Sequence, residues 1–352
     1  MSYKPNLNRS PQGTTVRRGP GAKIIFLSIM MCLIFWIIFL LLPYGPAHEI
    51  QVSIAPGMSS GEIAGLLSKT NLIQSPVLFR IITKLAKIDN KLKAGTYKLS
   101  PRMGVFGIVE ALAKGKVELV RFTIPEGASI EDITKLLGEK NLISQERFLS
   151  LVKGEDQDFK IIKSGIEFSG NLEGYLFPDT YSVEHNTGEE TIIAMMIEKF
   201  AQTVIPEWLR SDVDEKVKTL DLHEIVTLAS IIEKEAKFAE DKPLIASVFY
   251  NRLESKMPLQ SCATVQFALD SRKSRLSLDD IKIDSPYNTY IISGLPPGPI
   301  ASPGLASIQA ALAPANSDYL FFAANQEGGH IFSKTFKEHQ KATAQMHAQF
   351  HD

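Results

Sequence analysis

The run Leu228–Ala236 reads Leu-Ala-Ser-Ile-Ile-Glu-Lys-Glu-Ala, a strongly apolar stretch that nevertheless carries two carboxylates. The surrounding residues 222–238 contain no glycine and no proline, which predicts a helix of about four to five turns. At about 100° per residue, its apolar side chains form one face that packs against a core. These are Ile225, Leu228, Ala229, Ile232 and Ala236. Lys234 points the opposite way, toward solvent.

Glu233 and Glu235 lie at the two edges of this apolar face. A carboxyl held against apolar groups has its charged form disfavoured, so its pKa rises and it can act as a general acid near neutral pH. The same spacing is also typical of ordinary charges that flank an amphipathic helix. Helical periodicity therefore leaves open both the role of the pair and the choice between the two glutamates.

The N-terminal region predicts a membrane anchor. Residues 1–23 contain five basic residues and no acidic one, together with several prolines and glycines, as is typical of a disordered tail. Residues 24–42 carry no charge, and as a helix they span about 30 Å, the thickness of a bilayer core. This length favours an uncleaved transmembrane helix over a signal peptide, although Gly45-Pro46-Ala47 would suit cleavage. The basic flank predicts a cytoplasmic N-terminus, with the rest of the chain outside.

Composition narrows the possible functions. The chain has 352 residues, 44% of them hydrophobic, which is enough for two domains besides the anchor. All 39 acidic residues follow the apolar run, so the exported part is net acidic and nucleic acid is not an expected partner. Cys32 lies in the apolar run and Cys262 stands alone, so no disulfide within a domain is predicted. His330 and His339 have no further ligand at metal spacing, and neither a metal nor another cofactor is predicted.

Two segments, 54–73 and 124–143, repeat at an offset of 70 residues. Both copies read as a strand, a glycine turn, a serine helix cap, a short amphipathic helix and an Asn-Leu-Ile triplet. A second helix at 76–87 and a strand at 94–99 follow the first copy. This β-α-α-β order resembles the LysM module, a small glycan-binding fold of cell-wall proteins. A scaffold that only spaces the next domain from the membrane fits the same pattern.

The chain after Gly170 carries a series of distinctive motifs. The aromatic stretch 171–181 contains Glu173 and Tyr175 and suits stacking against sugar rings, although aromatic residues also pack in cores. A helix that ends near Leu253 is predicted after the glutamate pair. The later motifs are Asn251-Arg252-Leu253, Leu259-Gln260, Tyr287-Asn288-Thr289-Tyr290, the proline-rich loop 294–304 and Gly328-Gly329-His330.

Together these motifs resemble the YceG-like family of endolytic murein transglycosylases. The resemblance implies that the second glutamate of Glu233-Lys234-Glu235 is catalytic, that the substrate is the peptidoglycan glycan strand, and that peptidoglycan synthases (penicillin-binding proteins) are neighbours. The expected substrate-binding residues are Gln260, Asn288, Thr289, Tyr290, Tyr175 and Glu173. The family usually has Thr-Asp-Pro-Thr where this chain has Ser261-Cys262-Ala263-Thr264, so one aspartate is missing.

A lytic transglycosylase does not need that second carboxylate. Glycosidases usually use two carboxyl groups, but here Glu235 is expected to protonate the leaving oxygen while the C6 hydroxyl of N-acetylmuramic acid attacks C1. The product is a 1,6-anhydromuramyl end, formed within nascent strands, and the cut ends their elongation. A muramidase and a non-catalytic, membrane-anchored wall-binding scaffold are the alternatives.

The predicted fold class is α+β, with four segments along the chain. They are a cytoplasmic basic tail (1–23), a transmembrane helix (24–42), a LysM-like spacer with two related repeats (48–160) and a mixed α+β catalytic domain (161–345). The predicted location is the bacterial inner (cytoplasmic) membrane, crossed once, with the catalytic domain on the outer side.

Overall fold

A computed structural model of the chain describes residues 20–45, 47–115, 119–185, 187–210, 217–269, 273 and 276–349. They form a mixed α+β protein, as the sequence predicts. The chain divides into two compact units, Met1–Glu118 and Leu119–Asp352. Most of the predicted basic tail, residues 1–19, lies outside the described residues.

Helix α1 covers Pro20–Leu41 and coincides with the predicted apolar run. Its residues 24–41 are long and apolar enough to cross a membrane. Large apolar side chains on this helix, such as Phe35 and Trp36, are exposed. A signal sequence near an N-terminus has the same properties, so α1 is a candidate for either kind of segment.

The first unit has the predicted β-α-α-β order, followed by one more helix. Its elements are β1 (Ile50–Ile54), α2 (Ser60–Lys69), α3 (Pro76–Leu85), β2 (Gly95–Leu99) and α4 (Gly104–Lys114). Strands β1 and β2 pair antiparallel along their whole length. Apolar side chains from the strands and helices close a core of their own, which includes Phe79 and Tyr97.

The two sequence repeats have the same local backbone structure. Each has a glycine in the left-handed region, Gly57 (φ 85°) and Gly127 (φ 74°), where a side chain would strain the backbone. Each helix then begins at a capping box, in which Ser59 or Ser129 bonds to the backbone of the first turn. The asparagine of each Asn-Leu-Ile triplet also has a positive φ.

The two copies nevertheless lie in different units. Strand β3 of the second copy (Leu119–Thr123) pairs antiparallel with β6 (Thr180–Glu184). The larger unit therefore begins before residue 161, where the sequence pattern places the start of the catalytic domain. Sequence similarity between the copies predicts a strand and a helix in each copy, but it does not predict which other strand each strand pairs with.

The remaining described elements of the second unit are helices and four short strands. They are α5 (Ile130–Glu139), α6 (Gln145–Val152), β4 (Lys160–Lys163), β5 (Ile166–Ser169), α7 (Glu189–Trp208), α8 (Leu222–Glu235), α9 (Lys242–Glu254), α10 (Cys262–Ala268), α11 (Leu305–Leu312), β7 (Phe321–Ala324), β8 (His330–Ser333) and α12 (Phe336–Gln349). Strands β4 and β5 pair antiparallel, as do β7 and β8. Every sheet within the described ranges has two strands, so helices supply most of the core.

Helix α8 packs against α9, α10 and α11 in the core of the second unit. Every residue from 225 to 232 is buried, so the prediction of a helix with a single buried face is wrong. The neighbouring helices cover α8 on several sides, and periodicity does not reveal how many neighbours a helix has. The helix also ends earlier than predicted, because Ala236 is extended with ψ of 122°. Glu235 is therefore its last residue.

Candidate active site

Glu235 is half-buried and lines a cleft of about 850 Å³ in the second unit. The walls are formed by the start of α5, the end of α8, and α10 with the residues that follow it. Lining residues from these parts include Ser129, Lys135, Lys234, Cys262, Phe267 and Ile300. One wall thus comes from the second repeat, a segment that the sequence pattern assigns to the spacer.

The Glu235 carboxyl lies where the C-terminal end of α8 meets the N-terminal end of α10. The Ser261 hydroxyl donates a hydrogen bond to its Oε1, and the backbone N–H of Ala263 donates a second. Protein atoms enclose the carboxyl, and this burial raises the pKa of Glu235 above its ordinary value. The two hydrogen bonds and the charge of His330 oppose that rise without cancelling it. The position at a helix C-terminus also disfavours a negative charge.

Glu233, the other candidate, is engaged in structural contacts. Its carboxylate pairs with Lys242 at 3.1 Å, with side chains 9% and 7% exposed respectively. It also accepts hydrogen bonds from the backbone N–H of Gly304 at 3.0 Å and from the hydroxyl of Ser307 at 2.6 Å. These bonds join the start of α11 to α8. The geometry therefore separates the two glutamates, since Glu233 holds two helices together and Glu235 faces the cleft.

Asn288 and Thr289 lie inside their loop and are both 0% exposed. The Asn288 amide donates to the carbonyls of Ile281 and Ile283, at 3.0 and 2.8 Å. The Thr289 hydroxyl oxygen accepts the backbone N–H of Ser261 at 3.0 Å. Both side chains are thus engaged within their loop, and their contact with sugar stays a prediction. Their polar atoms satisfy the backbone of an irregular loop, and through Thr289 they position Ser261.

Gln260 lies beside the cleft without lining it. Its residue is exposed and has a positive φ of 52°. Its side-chain oxygen accepts a hydrogen bond from Arg252 at 3.2 Å, and the same guanidinium bonds to the carbonyls of Leu259 and Leu320 at 3.0 and 2.7 Å. Arg252 thus fixes the turn that delivers Ser261 to Glu235. This contact joins the Asn-Arg-Leu and Leu-Gln motifs in the structure.

Tyr290 lies next to the cleft. Its hydroxyl oxygen lies 3.1 Å from Sγ of Cys262, which lines the cleft. Burial raises the pKa of Tyr290, so its side chain is a neutral phenol at physiological pH. Sequence reasoning assigns no role to Ser261, yet its hydroxyl contacts the catalytic candidate. The available signal was its position directly after the Leu-Gln motif.

Glu173 is a second buried carboxyl, and it serves the second repeat. It is 3% exposed and accepts the backbone N–H of Ile130, the first residue of α5, at 3.0 Å. Burial raises the pKa of Glu173 to about 8, with Glu131 and Asp132 adding to the rise. Its contact is therefore with a helix start that forms one wall of the cleft, and its direct contact with substrate stays a prediction.

Tyr175 lies outside the cleft. It lines a separate cavity of about 440 Å³, where its hydroxyl is 2.7 Å from Nδ1 of His223. Tyr175 and Glu235 thus line different cavities, because the aromatic stretch faces the opposite end of α8. The role of Tyr175 in substrate binding stays a prediction.

Metal-binding clusters are not found in the part of the chain that the structure describes, where no three His, Cys, Asp or Glu side chains could jointly hold an ion. His330 instead bonds through Nδ1 to Asp241 at 2.8 Å. Three carboxyl groups among the described residues line the cleft, those of Glu131, Asp132 and Glu235.

The sequence pattern of the YceG-like family matches residues 52–345. This chain belongs to the YceG-like family. A Bacillus subtilis (strain 168) protein named endolytic murein transglycosylase is 37% identical over 305 residues, which cover 83% of either protein. A protein of the same name from Streptococcus pneumoniae serotype 2 (strain D39) is 33% identical over 326 residues. Those residues are 84% of this chain and 58% of the relative.

A solved yceG-like protein of Listeria monocytogenes has a similar fold, with a TM-score of 0.55 at 33% identity. The match covers 84% of this chain and 99% of that one. In this YceG-like chain, the segment Ser261–Ala263 supplies both hydrogen bonds to Glu235, one from a hydroxyl and one from a backbone N–H.

Proposed function

We propose that this YceG-like protein is an endolytic peptidoglycan lytic transglycosylase whose catalytic acid and base is Glu235. The observation that carries the proposal is an enclosed carboxyl with a raised pKa facing an open cleft. The name borne by the Bacillus and Streptococcus relatives supports the same reaction class. A raised pKa favours the protonated carboxyl, which is the form that donates a proton to a leaving oxygen.

The proposed reaction breaks one C–O bond and forms another. Glu235 donates its proton to the glycosidic oxygen as the bond from that oxygen to C1 of N-acetylmuramic acid breaks. The C6 hydroxyl oxygen of the same sugar bonds to C1, and its proton passes to the ionised Glu235. The carboxyl is thereby restored, no water is consumed, and the new end is a 1,6-anhydro ring.

Two further carboxylates line the cleft on the α5 wall, and both are already engaged. Glu131 pairs with Lys153 at 2.9 Å. Asp132 belongs to the capping box of Ser129. A retaining or inverting hydrolase needs a second carboxylate as nucleophile or base. The engagement of both residues therefore favours an internal nucleophile from the substrate.

The basic groups of the cleft suit a substrate that carries carboxylates. Lys135, Lys234 and Lys273 all line it, and Lys273 is already paired with Asp280. Lys234 also donates to the carbonyl of Gly127 at 3.1 Å, whereas Lys135 is exposed and forms no ion pair with any residue in the described ranges. Muramyl units carry a lactyl group extended by a peptide, so their negative charges find amines on both walls.

The decisive test is the mass of the product. The purified full chain in detergent is incubated with peptidoglycan, and the released muropeptides are weighed by mass spectrometry. Anhydromuramyl ends are expected. Products heavier by one water would establish a muramidase instead, and an absence of products would leave a wall-binding scaffold.

Ser261→Ala should shift the pH dependence of cleavage. A general acid works in its protonated form, so activity falls as pH rises through the pKa of Glu235. The Ser261 hydroxyl favours the ionised carboxylate, so its removal raises that pKa further. The alkaline limb of kcat/KM should therefore move to higher pH, while Ser182→Ala, at an exposed serine on β6, leaves it in place. A limb that moves to lower pH would contradict the assignment.

Cys262→Ser should retain most activity, although Cys262 lines the cleft. The residue is exposed and its sulfur contacts the hydroxyl of Tyr290, a contact that a serine hydroxyl preserves. Steady-state rates on isolated glycan strands provide the measurement. A serine variant without activity would require a thiol in the reaction and would reject a mechanism based on Glu235 alone.

The proposed location is the outer face of the cytoplasmic membrane. The apolar helix α1, together with the basic and acid-free segment before it, supports a single-pass anchor with a cytoplasmic N-terminus. The LysM-like order of the first unit supports a glycan-binding or spacing role. An anchored enzyme meets strands that are still attached to their lipid carrier, so nascent strands are the proposed substrate and peptidoglycan synthases the proposed neighbours.

Glycan length in cells tests this location and the endolytic role. Cells that lack the protein, or carry Glu235→Gln, should make longer strands with fewer 1,6-anhydro ends. A version without residues 1–43 should cut purified strands but complement poorly, since the anchor supplies proximity. Unchanged strand lengths, or loss of terminal disaccharides alone, would reject an endolytic role.

A further inference from the structure

The second unit contains a cavity that the proposed reaction does not use. This cavity, called the His223 cavity below, has a volume of about 440 Å³. Its lining includes Phe168, Ser169, Tyr175, Trp208, Asp221 and His223. It has no lining residue in common with the cleft of Glu235.

The rings of the His223 cavity are held in place before any ligand arrives. Tyr175 stacks on His223 with an interplanar angle of 19° and meets Phe168 and Phe200 edge-on. Nε2 of His223 lies 2.8 Å from the carbonyl oxygen of Pro297, which can only accept, so Nε2 carries a hydrogen. When the ring is neutral, Nδ1 accepts from the Tyr175 hydroxyl at 2.7 Å. Pre-organisation of this kind reduces the entropy lost on binding.

The lining combines aromatic faces with small polar groups. Trp208 and Tyr175 are half-buried, so each presents part of its ring to the cavity. Ser169 and Asn171 supply a hydroxyl and an amide at the edge. A few polar groups on a mostly apolar, aromatic surface are typical of small-ligand sites. The C–H faces of sugar rings suit the rings, and their hydroxyl and acetamido groups suit the polar edge.

The charge of the His223 cavity selects between the two sugars of the strand. Its lining carries the carboxylates of Glu167 and Asp221 and, within the described part of the chain, neither lysine nor arginine. A muramyl unit with its own carboxylates would be repelled there. N-acetylglucosamine is neutral and can donate hydroxyl hydrogen bonds to carboxylates. The cleft at Glu235 differs, since its described lining has three lysines beside the carboxyl groups.

Helix α8 and the loop 294–304 connect the His223 cavity with the cleft of Glu235. His223 and Glu235 stand at opposite ends of α8, about 18 Å apart along its axis at 1.5 Å per residue. The loop 294–304 follows the helix between them. The Ile300 N–H of this loop donates a hydrogen bond to Ser230 Oγ at 3.0 Å, and Ile300 also lines the cleft of Glu235. A short oligosaccharide has the length to extend from one place toward the other.

We propose that the His223 cavity is a second glycan subsite, which holds a neutral N-acetylglucosamine unit of a strand whose muramyl unit lies at Glu235. The inference rests on the proposed function and adds a reason for internal cleavage. A strand that fills both places must continue beyond the cut bond. Longer strands are therefore bound better than short ones.

Trp208 fluorescence measures binding to this cavity directly. The chain has two tryptophans, so Trp36→Phe leaves Trp208 as the reporter, and Glu235→Gln prevents turnover. The full chain in detergent is titrated with N-acetylated chitotetraose, a neutral probe. A saturable change in Trp208 emission is expected. No change at millimolar probe, or a response to a muramyl dipeptide in its place, would overturn the proposal.

A matched pair of substitutions locates the binding. Ser169→Phe places a large ring in the cavity from an exposed strand position, and it should weaken chitotetraose binding about tenfold or more. Ser182→Phe makes the same change at an exposed serine on β6, outside the cavity, and should leave the titration unchanged. Equal affinities in the two variants would overturn the proposal.

The activity of the same pair separates this inference from the proposed function. With Glu235 intact, Ser169→Phe should raise KM for long strands and leave kcat unchanged relative to Ser182→Phe. Equal KM values would reject the subsite while anhydro products still supported the proposed reaction. Products without an anhydro end would reject the proposed reaction, whereas the Trp208 titration would still report the binding of sugar.

Discussion

Glu235→Gln should lower the rate of glycan cleavage by about a hundred- to ten-thousandfold, the range that a positioned general acid contributes. Glutamine has nearly the shape of the protonated carboxyl, so the contacts with Ser261 and Ala263 are largely kept. The proton that must reach the glycosidic oxygen is lost. Release of anhydromuropeptides by equal amounts of folded protein provides the measurement.

The control is Glu240→Gln, the same chemical change at an exposed carboxylate just beyond α8. The Glu240→Gln protein should cleave glycan strands at the rate of the unsubstituted chain. The thermal unfolding temperature of Glu235→Gln should be equal to or above that of the unsubstituted chain, because burial penalises the ionised carboxylate. A Glu235→Gln protein that cleaves normally would remove this carboxyl from the mechanism.

Glu233→Gln should have the opposite profile, with a large loss of stability and little effect on the chemical step. The substitution leaves Lys242 as a buried charge without its partner, a change that typically costs about 3–5 kcal/mol. The bonds from Gly304 and Ser307 also weaken, since a neutral amide oxygen is a poorer acceptor than a carboxylate. Urea unfolding followed through Trp208, in a Trp36→Phe background, measures the loss.

A double variant separates the ion pair from the rest of the site. Glu233→Gln combined with Lys242→Met removes both charges, so it should be less destabilised than the sum of the single substitutions. Folded Glu233→Gln should still produce anhydro ends below its unfolding transition. If that protein were fully stable and inactive while Glu235→Gln retained activity, the roles of the two glutamates would be reversed.

The sequence predicts some side chains of the candidate active site and not others. The motif resemblance selected Glu235, and geometry supplies the reason, because the helix ends at that residue and its carboxyl turns into a cleft. The same motifs predict sugar contacts for Asn288 and Thr289, and the structure places both side chains within their own loop. A polar side chain in a motif can bind substrate or hold the loop that does, and the sequence does not distinguish these two uses.

Ser261 and Glu173 make contacts with residues that are far from them in the sequence, and such contacts cannot be predicted from local patterns. Ser261, whose hydroxyl contacts Glu235, is 26 positions away from it in the chain. Glu173, whose carboxylate accepts the N–H of Ile130 at the start of α5, is 43 positions away from Ile130. Neither separation leaves a periodic trace in the chain. Both contacts depend on how helices and loops pack, which is a property of the complete second unit.

By itself, the sequence determined the features that depend on neighbouring residues: the apolar length of α1, the serine caps and glycine turns of both repeats, and a helix through Glu235. Capping, turn geometry and hydrophobic length act over a few positions, so they can be read directly. Only the tertiary structure decided that the second repeat forms a cleft wall, that Glu233 is bound to Lys242, and that Tyr175 faces a different cavity. Burial and hydrogen-bond partners depend on distant segments brought together by the core, such as Gly304 and Glu233, 71 positions apart.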